Sequence, residues 1–143
     1  MKKQEIELLC QKAIEAQQNA YAPYSKYKVG AAVLGEDGRI YTGCNVENVS
    51  YGLTVCAERI AIFKAVSEGC RKFRALSVVV QDNSGPARPC GACLQVIREF
   101  GNNTKLYLLN TAGQKKQTTI ARLLPMAFHP FREKSEEDSE KKK

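Results

Sequence analysis

The chain has 143 residues, of which 43% are hydrophobic, and a formal net charge of +7. This length predicts a single domain with a substantial core, extending over residues 1–131. The most apolar stretch in the middle of the chain, residues 76–80, is too short to cross a bilayer, and the first residues lack the apolar run of a signal peptide, so we expect no membrane partner.

The cysteines and the charge distribution indicate an environment and exclude some partners. Six cysteines without a signal peptide indicate reduced thiols and a cytoplasmic protein. The basic excess lies before residue 132, because five positive and five negative side chains cancel over residues 132–143. That last segment is also poor in apolar residues and is predicted to be disordered. No basic run alternates with several aromatic residues, as a groove for single strands requires, so we expect no nucleic acid partner.

The first part of the chain predicts a helix followed by a β-hairpin. Apolar residues recur at helical spacing over residues 4–20, and Pro23 follows the predicted end of this helix. Residues 27–34 predict a strand with several small residues, and residues 39–46 predict the returning strand. Asp37 and Gly38, which lie between them, form a strong hairpin signal.

The rest of the chain predicts alternating helices and strands. Thr54 is predicted to cap a helix that runs to about residue 67. The elements after it are a buried strand (75–80), a helix (about 90–100), two strands (105–109 and 115–118) and a last helix (120–124) capped by Thr119. Only a few residues separate the last two strands, so they must run antiparallel. We therefore predict a three-layer α/β sandwich, with a mixed five-stranded sheet and helices on both of its faces.

Three cysteines and a glutamate, in two separate segments, fit one catalytic zinc site. Cys90 and Cys93 are spaced i, i+3, so on a helix they share a face and can bind one ion, and Cys56 would be the third ligand. A catalytic zinc site keeps a position for water, and Glu58 is placed to transfer protons beside the metal. P-C-x-x-C after C-A-E matches the signature of zinc-dependent base deaminases, with a cysteine in place of their first histidine.

Three thiolates carry more negative charge than Zn²⁺ cancels, so the fold must compensate. The predicted helix N-termini at Cys56 and at Cys90 would stabilise thiolates. Arg59, one turn after Cys56, can donate to its sulfur. Two other interpretations stay open, since Arg59 could form a surface salt bridge and a fourth residue such as Cys44 could close a purely structural zinc site.

The remaining cysteines do not belong to the signature. We expect them to be small buried apolar residues, as free cysteines usually are: Cys10, Cys44 and Cys70.

Together with other segments in the same order, these motifs resemble the cytidine deaminase family, of the small homotetrameric type with three cysteine ligands. The resemblance covers about residues 4–131. The matching segments are A-P-Y-S from Ala22, V-G-A-A from Val29, G-C-N-V-E-N from Gly43, C-A-E-R from Cys56, P-C-G-A-C from Pro89, and L-L-P from Leu123 followed by Ala127 and Phe128.

The resemblance implies an activity and a set of substrate-binding residues. The activity is hydrolytic deamination of cytidine and 2′-deoxycytidine to uridine and 2′-deoxyuridine, with release of ammonia, in pyrimidine salvage, using one Zn²⁺ per subunit. Asn45 and Glu47 would bind the ribose 3′-hydroxyl, although on the residues alone they are also ordinary loop residues. The backbone of Ala57 would contact the base. Phe128 and Tyr51 would reach the site of a neighbouring subunit, so that a homotetramer shares its active sites.

The chain departs from the family pattern at Tyr27 and Leu94, the pair Ala87-Arg88 before Pro89 is also atypical, and other functions stay open. Tyr27 stands where the family usually has a phenylalanine against the base, and its hydroxyl needs a partner. Leu94 replaces the usual arginine after the last ligand cysteine. The alternatives are a deaminase of a cytosine-nucleoside antibiotic such as blasticidin S, a nucleic-acid-editing deaminase, and a structural zinc protein.

Overall fold

The computed structural model describes residues 1–128, so the predicted tail over residues 132–143 lies outside the described residues, as do residues 129–131. The elements in chain order are α1 (Lys3–Gln17), β1 (Gly30–Gly35), β2 (Ile40–Cys44), α2 (Ala57–Ser67), β3 (Phe73–Val80), α3 (Gly91–Glu99), β4 (Lys105–Asn110), β5 (Lys115–Thr119) and α4 (Ile120–Leu123), with a 3₁₀ turn over Tyr51–Leu53. Within the described part of the chain, no helix is both long enough and apolar enough to cross a bilayer.

The five strands form one mixed sheet in the order β2-β1-β3-β4-β5. β1 runs antiparallel to both β2 and β3, and β4 runs antiparallel to β5 after a short turn. β3 and β4 are the parallel pair, and the connection between them contains α3, as a crossover between parallel strands requires. The predicted mixed five-stranded sheet is therefore confirmed.

Helices cover both faces of the sheet, as predicted. On one face, α1 packs Leu9 and Ala13 against residues of β1, β3 and β4 that include Ala32 and Val79. On the other face, residues of α2, α3 and α4 share a core with the alternate residues of the same strands, among them Val33. Every residue of β1 is buried. Because successive side chains point to opposite faces, a strand between two helical layers must be apolar throughout.

Several predicted boundaries are wrong at the edges that approach the cavity. The first helix ends at Gln17 instead of residue 20, and residues 18–20 continue as turns. β1 begins at Gly30 instead of residue 27, because the side chain of Asn45 bonds the backbone of Tyr27 and Val29 in place of a strand ladder. β2 ends at Cys44, before residue 46, because Val46 forms isolated bridges with Tyr21 and Val55 instead of continuing the strand.

The starts of the two middle helices also differ from prediction. α2 begins at Ala57 with Cys56 as its N-cap, because the Thr54 hydroxyl accepts instead from the backbone N–H of Asn48 at 3.1 Å. α3 begins at Gly91, one residue later than predicted, with Cys90 as N-cap. The predicted cap of the last helix is confirmed, since Thr119 Oγ1 accepts from the N–H of Arg122 at 3.3 Å, although that helix ends at Leu123 instead of residue 124.

Gly43 sets the distance between β2 and α2. A Cβ at this position would lie 2.5 Å from the backbone N of Ala61 and 2.6 Å from the backbone O of Ala57. These are backbone atoms of the helix, so they cannot move without shifting α2 as a whole. A residue without a side chain therefore lets the helix that begins after Cys56 lie directly on the strand.

We expect Gly43→Ala to lower the free energy of unfolding by about 1–3 kcal/mol, because it overpacks the contact between β2 and α2. The matched control is Gly52→Ala, since a Cβ there would meet no heavy atom within 4 Å, and it should change stability by less than about 0.5 kcal/mol. Chemical denaturation followed by circular dichroism measures both. Equal effects of the two variants would contradict the close approach of α2.

Candidate active site

The structure brings three cysteine sulfurs together at the start of two helices. The Sγ atoms of Cys56, Cys90 and Cys93 all lie within 4.8 Å of one another, and those of Cys56 and Cys90 are 4.0 Å apart. Cys56 and Cys90 are the N-caps of α2 and α3, and Cys93 lies in the first turn of α3, where it is fully buried. Helix N-termini carry partial positive charge, so this placement favours thiolates.

The pKa values of two cysteines in the cluster indicate that positive charge would stabilise its thiolates. A hydrogen bond from Cys93 and the guanidinium of Arg59 lower the pKa of Cys56 to about 5, against the effect of its burial. The same hydrogen bond and the burial of Cys93 raise the pKa of that thiol. Without a cation, one thiol therefore ionises at the expense of its neighbour. A divalent ion removes this competition, and three sulfur ligands suit zinc.

The described residues provide no fourth ligand to this group. Over residues 1–128, no other His, Cys, Asp or Glu joins the cluster, and Cys44 is not part of it. Cys10 and Cys70 are buried, as predicted, whereas Cys44 is only half-buried. The described residues thus form a site with three ligands, which leaves room for a water molecule beside the metal.

Glu58 lies in the first turn of α2, next to this cluster. Its side chain is 5% exposed, and it lines the same cavity as Cys56 and Cys90. Burial raises the pKa of Glu58 to about 7, and the neighbouring Cys56 thiolate adds to the increase. A carboxyl group with this acidity can both accept and release a proton near neutral pH.

Arg59 points back toward the sulfurs from one turn along α2. Its Nη2 donates to Cys56 Sγ at 3.4 Å. Its Nε is buried and has no hydrogen-bond partner among the described residues. Arg59 is half-buried, and its guanidinium contacts the Cys56 sulfur, which is the contact expected of a charge-compensating residue and not of a surface salt bridge.

A cavity of about 500 Å³ opens above the cluster. It is lined by several residues that the resemblance assigns to substrate binding: Tyr27, Asn45, Glu47 and Ala57. Tyr51 and Phe128 do not line it. They are 73% and 70% exposed on the surface of the same chain. The structure therefore brings the first set to the metal cluster and leaves the second set outside it.

Asn45 and Glu47 hold the segment that forms one rim of this cavity. The amide of Asn45 accepts from the N–H of Val29 at 2.9 Å and donates to the carbonyl of Tyr27 at 2.8 Å. Glu47 accepts from the backbone N–H groups of Tyr24 and Ser25, at 3.0 and 3.1 Å, and from the Ser25 hydroxyl. The hydroxyl lowers the pKa of Glu47, so this residue faces the cavity as a carboxylate.

Sequence reasoning missed one side of the cavity, which the loop between β3 and α3 forms. Its residues in the lining are Asp82, Pro86, Ala87 and Arg88. Their position just before the P-C-x-x-C motif was the signal that could have indicated them. Pattern alone did not show that the loop turns toward the cavity, because turn-forming residues predict a loop but not its direction.

Comparison with known proteins decides the family. The profile of the "Cytidine and deoxycytidylate deaminase zinc-binding region" matches residues 3–109. The chain belongs to the cytidine deaminase family. Among curated cytidine deaminases, that of Sporosarcina psychrophila is 55% identical over 125 residues, which are 87% of this chain and 91% of the relative. That of Halalkalibacterium halodurans is 50% identical over 123 residues, covering 85% of this chain and 92% of the relative.

Solved structures of cytidine deaminases have the same fold as this member of the family. The enzyme from Burkholderia pseudomallei superposes with a TM-score of 0.83 at 46% identity, covering 90% of this chain and all of that one. The enzyme from Mycobacterium tuberculosis gives a TM-score of 0.76 at 40% identity, covering 87% of this chain and 97% of the other. The sandwich predicted from the cytidine deaminase resemblance is thereby confirmed.

We expect this cytidine deaminase chain to purify with one zinc ion, and Cys93→Ser to weaken zinc binding by roughly a hundredfold or more, because it removes a thiolate ligand. Cys70→Ser is the matched control, since Cys70 is also buried but lies outside the cluster. Elemental analysis after dialysis against a weak chelator measures the metal. Loss of zinc from both variants, or from neither, would contradict the proposed ligand set.

Proposed function

We propose that this chain catalyses the zinc-dependent hydrolytic deamination of cytidine and 2′-deoxycytidine, which yields uridine or 2′-deoxyuridine and ammonia. The observation that carries the proposal is the combination of three cysteine sulfurs within 4.8 Å of one another and a buried glutamate that lines the same cavity. This combination supports a metal site with an open position beside a proton carrier, which hydrolysis of an amidine requires.

Cys56, Cys90 and Cys93 would hold one Zn²⁺ per subunit. When bound, the ion supplies Lewis-acid activation of a water molecule. Glu58 accepts one proton from that water and donates it to N3 of the pyrimidine. The water oxygen forms a bond to C4, the bond between C4 and the exocyclic nitrogen breaks, and the same carboxylate delivers the second proton to the departing ammonia. Because the proton moves twice, a pKa near 7 suits Glu58 for both directions.

Arg59 would keep the metal site acidic enough to work. Three thiolates carry more negative charge than a divalent ion cancels, which weakens the acidity of a bound water. The hydrogen bond from Arg59 Nη2 to Cys56 Sγ withdraws part of that charge, and the N-termini of α2 and α3 act in the same direction. The guanidinium is therefore a positioning and charge-balancing group and not a catalytic one.

The remaining residues of the cavity support a neutral nucleoside as the substrate. We assign the ribose 3′-hydroxyl to Asn45 and Glu47, since an amide and a carboxylate satisfy both the donor and the acceptor of a hydroxyl. The backbone of Ala57 and the ring of Tyr27 would contact the base.

The charge of the lining argues against the alternatives that need a phosphate. The cavity lining contains three acidic residues, Glu47, Glu58 and Asp82, and one cationic residue, Arg88. A nucleotide or a nucleic acid strand would bring further negative charge into this cavity, at a cost in a partly desolvated site. A nucleoside brings none, so nucleic acid editing is disfavoured.

The oligomeric state and the cellular role extend this proposal. Exposed apolar residues such as Val49, Leu53 and Phe63, together with Tyr51 and Phe128, support a homotetramer in which Tyr51 and Phe128 complete a neighbouring subunit's cavity. Free thiols as metal ligands require reducing conditions, which supports a cytoplasmic enzyme. Conversion of free nucleosides places the activity in pyrimidine salvage.

We expect Glu58→Gln to lower kcat for cytidine by about 10²–10⁴-fold while zinc stays bound, because the amide cannot carry a proton. Glu68→Gln is the matched control, since Glu68 is an exposed glutamate at the other end of α2. The loss of cytidine absorbance in the ultraviolet measures the rate. Unchanged activity of Glu58→Gln would contradict the mechanism. If the wild type converts blasticidin S or cytidine 5′-monophosphate but not cytidine, the proposed substrate is wrong.

We expect light scattering to give four times the 15.9 kDa mass of one chain.

The variants Glu58→Gln and Phe128→Ala should each have impaired activity alone. When they are refolded together, the mixture should recover about a quarter of wild-type activity, because random mixing pairs an intact Glu58 with an intact Phe128 of a neighbour at about a quarter of the sites. No recovery on mixing, with tetramers still formed, would show that Phe128 does not act across subunits.

A further inference from the structure

The loop between β3 and α3, residues 81–90, links one side of the cavity to the metal cluster. It contributes Asp82, Pro86, Ala87 and Arg88 to the lining, and it ends at Cys90. Backbone hydrogen bonds tie this loop, and the end of β3 that precedes it, to β4 and the turn after β4. Ala87 N–H donates to the carbonyl of Leu109 at 3.1 Å, and Thr111 N–H donates to the carbonyl of Val80 at 3.0 Å.

A single buried amide holds the middle of this loop. Asn110, the last residue of β4, is 5% exposed. Its Nδ2 lies 2.9 Å from the carbonyl oxygen of Asp82 and 3.1 Å from that of Gly85. The two carbonyls belong to different parts of the loop, so this side chain joins both of them to β4. Within the bend between them, the Asp82 carboxylate also accepts from the backbone N–H of Ser84 at 2.8 Å.

The same loop is also joined to the opposite rim of the cavity. Gln81 Oε1 accepts from the backbone N–H of Lys28 at 2.9 Å, next to Tyr27. The Asp82 carboxylate is close enough to raise the pKa of Tyr27, after the larger effect of burial. The position of the loop therefore decides both the width of the cavity and the place from which Cys90 reaches the cluster.

We propose that Asn110 is a positioning residue for the deamination proposed above. Its amide holds the loop in the shape that receives the nucleoside before any substrate binds, and it keeps Cys90 at the cluster. Asn110 does not line the cavity and belongs to no metal-ligating group of the described residues, so it acts through the loop. Without the Asn110 amide, the loop would have to become ordered when substrate binds, which weakens binding of the substrate and of the transition state equally. Loss of the amide should therefore raise KM and leave kcat unchanged.

Asn110 has a second set of contacts, which offers a purely local explanation for its presence. Its Oδ1 accepts from the backbone N–H of Gln114 at 2.9 Å, and its Nδ2 lies 2.6 Å from Gln114 Oε1. These contacts stabilise the turn between β4 and β5, as asparagine side chains often do. The loop depends on the amide NH₂ group alone, whereas the backbone of the turn depends on the amide oxygen.

The experiment separates the two roles with a pair of variants. Asn110→Asp keeps an oxygen for the turn but places a carboxylate against two loop carbonyls, and Gln114→Ala removes the side-chain contact in the turn but leaves the loop contacts. We measure KM and kcat for cytidine, the thermal midpoint, and the rate at which zinc passes to a colorimetric chelator without substrate. Asn110→Ser repeats the test without added charge, in case the aspartate variant does not fold.

For the Asn110 variants we expect KM to rise about tenfold, kcat to stay within about threefold, and zinc transfer to accelerate about tenfold, as for the loss of one or two buried hydrogen bonds. Gln114→Ala should lower the thermal midpoint with KM and zinc transfer within about twofold of wild type. If the Asn110 variants match Gln114→Ala in KM and in the rate of zinc transfer, Asn110 only stabilises the turn between β4 and β5. If wild type does not deaminate cytidine, the proposed function fails, and zinc transfer alone still decides the role of Asn110.

Discussion

The rest of the structure accommodates one constraint, which is the concentration of negative charge at a partly buried site: Cys93 is fully buried, Cys56 is half-buried and Cys90 is exposed. Three cysteine sulfurs lie within 4.8 Å of one another, and a glutamate that is 5% exposed lies beside them. Such a group is unstable in a protein interior unless positive charge compensates it. The fold supplies the N-termini of two helices and one guanidinium, and the zinc ion of the family supplies the rest. Burial is the main cause of the raised pKa of Glu58, and the nearby Cys56 thiolate adds to it.

The sheet and the helices of this sandwich are arranged so that two helix starts meet. α2 follows β2, at one edge of the sheet, and α3 follows β3, at its centre. The N-termini of α2 and α3 can meet because α2 lies directly on β2 at Gly43, where no side chain separates the helix from the strand. The cysteines that begin these helices come from distant positions of the chain, and one bound zinc ion would link the two helices. Metal binding is thereby coupled to the packing of the core.

The cavity itself is formed by loops, and buried polar side chains hold these loops in place. Asn45 and Glu47 bond the backbone of the segment before β1, and Asn110 bonds two carbonyls of the loop before α3. Loops lack the ladder of hydrogen bonds that fixes a helix or strand, so side-chain amides and carboxylates must satisfy their backbone groups. Residues assigned to the substrate, Asn45 and Glu47, also have this structural role. The binding surface is therefore formed before the nucleoside arrives.

Local patterns were enough to predict the order of the elements, the mixed sheet, and the cysteines and glutamate of the candidate site, because hydrophobic period, turn residues and ligand spacing are local properties. The sequence pattern predicted helix starts at Cys56 and Cys90. It also predicted Thr54 as a cap, because no pattern shows that the Thr54 hydroxyl accepts from the backbone N–H of Asn48 instead. The contacts of the folded chain were needed to show that no fourth ligand joins the cluster over residues 1–128, that Tyr51 and Phe128 lie outside the cavity of their own chain, and that Asp82 and Arg88 line it. These facts depend on the direction in which loops turn. Contacts between residues far apart in the chain determine that direction, and no local pattern encodes it.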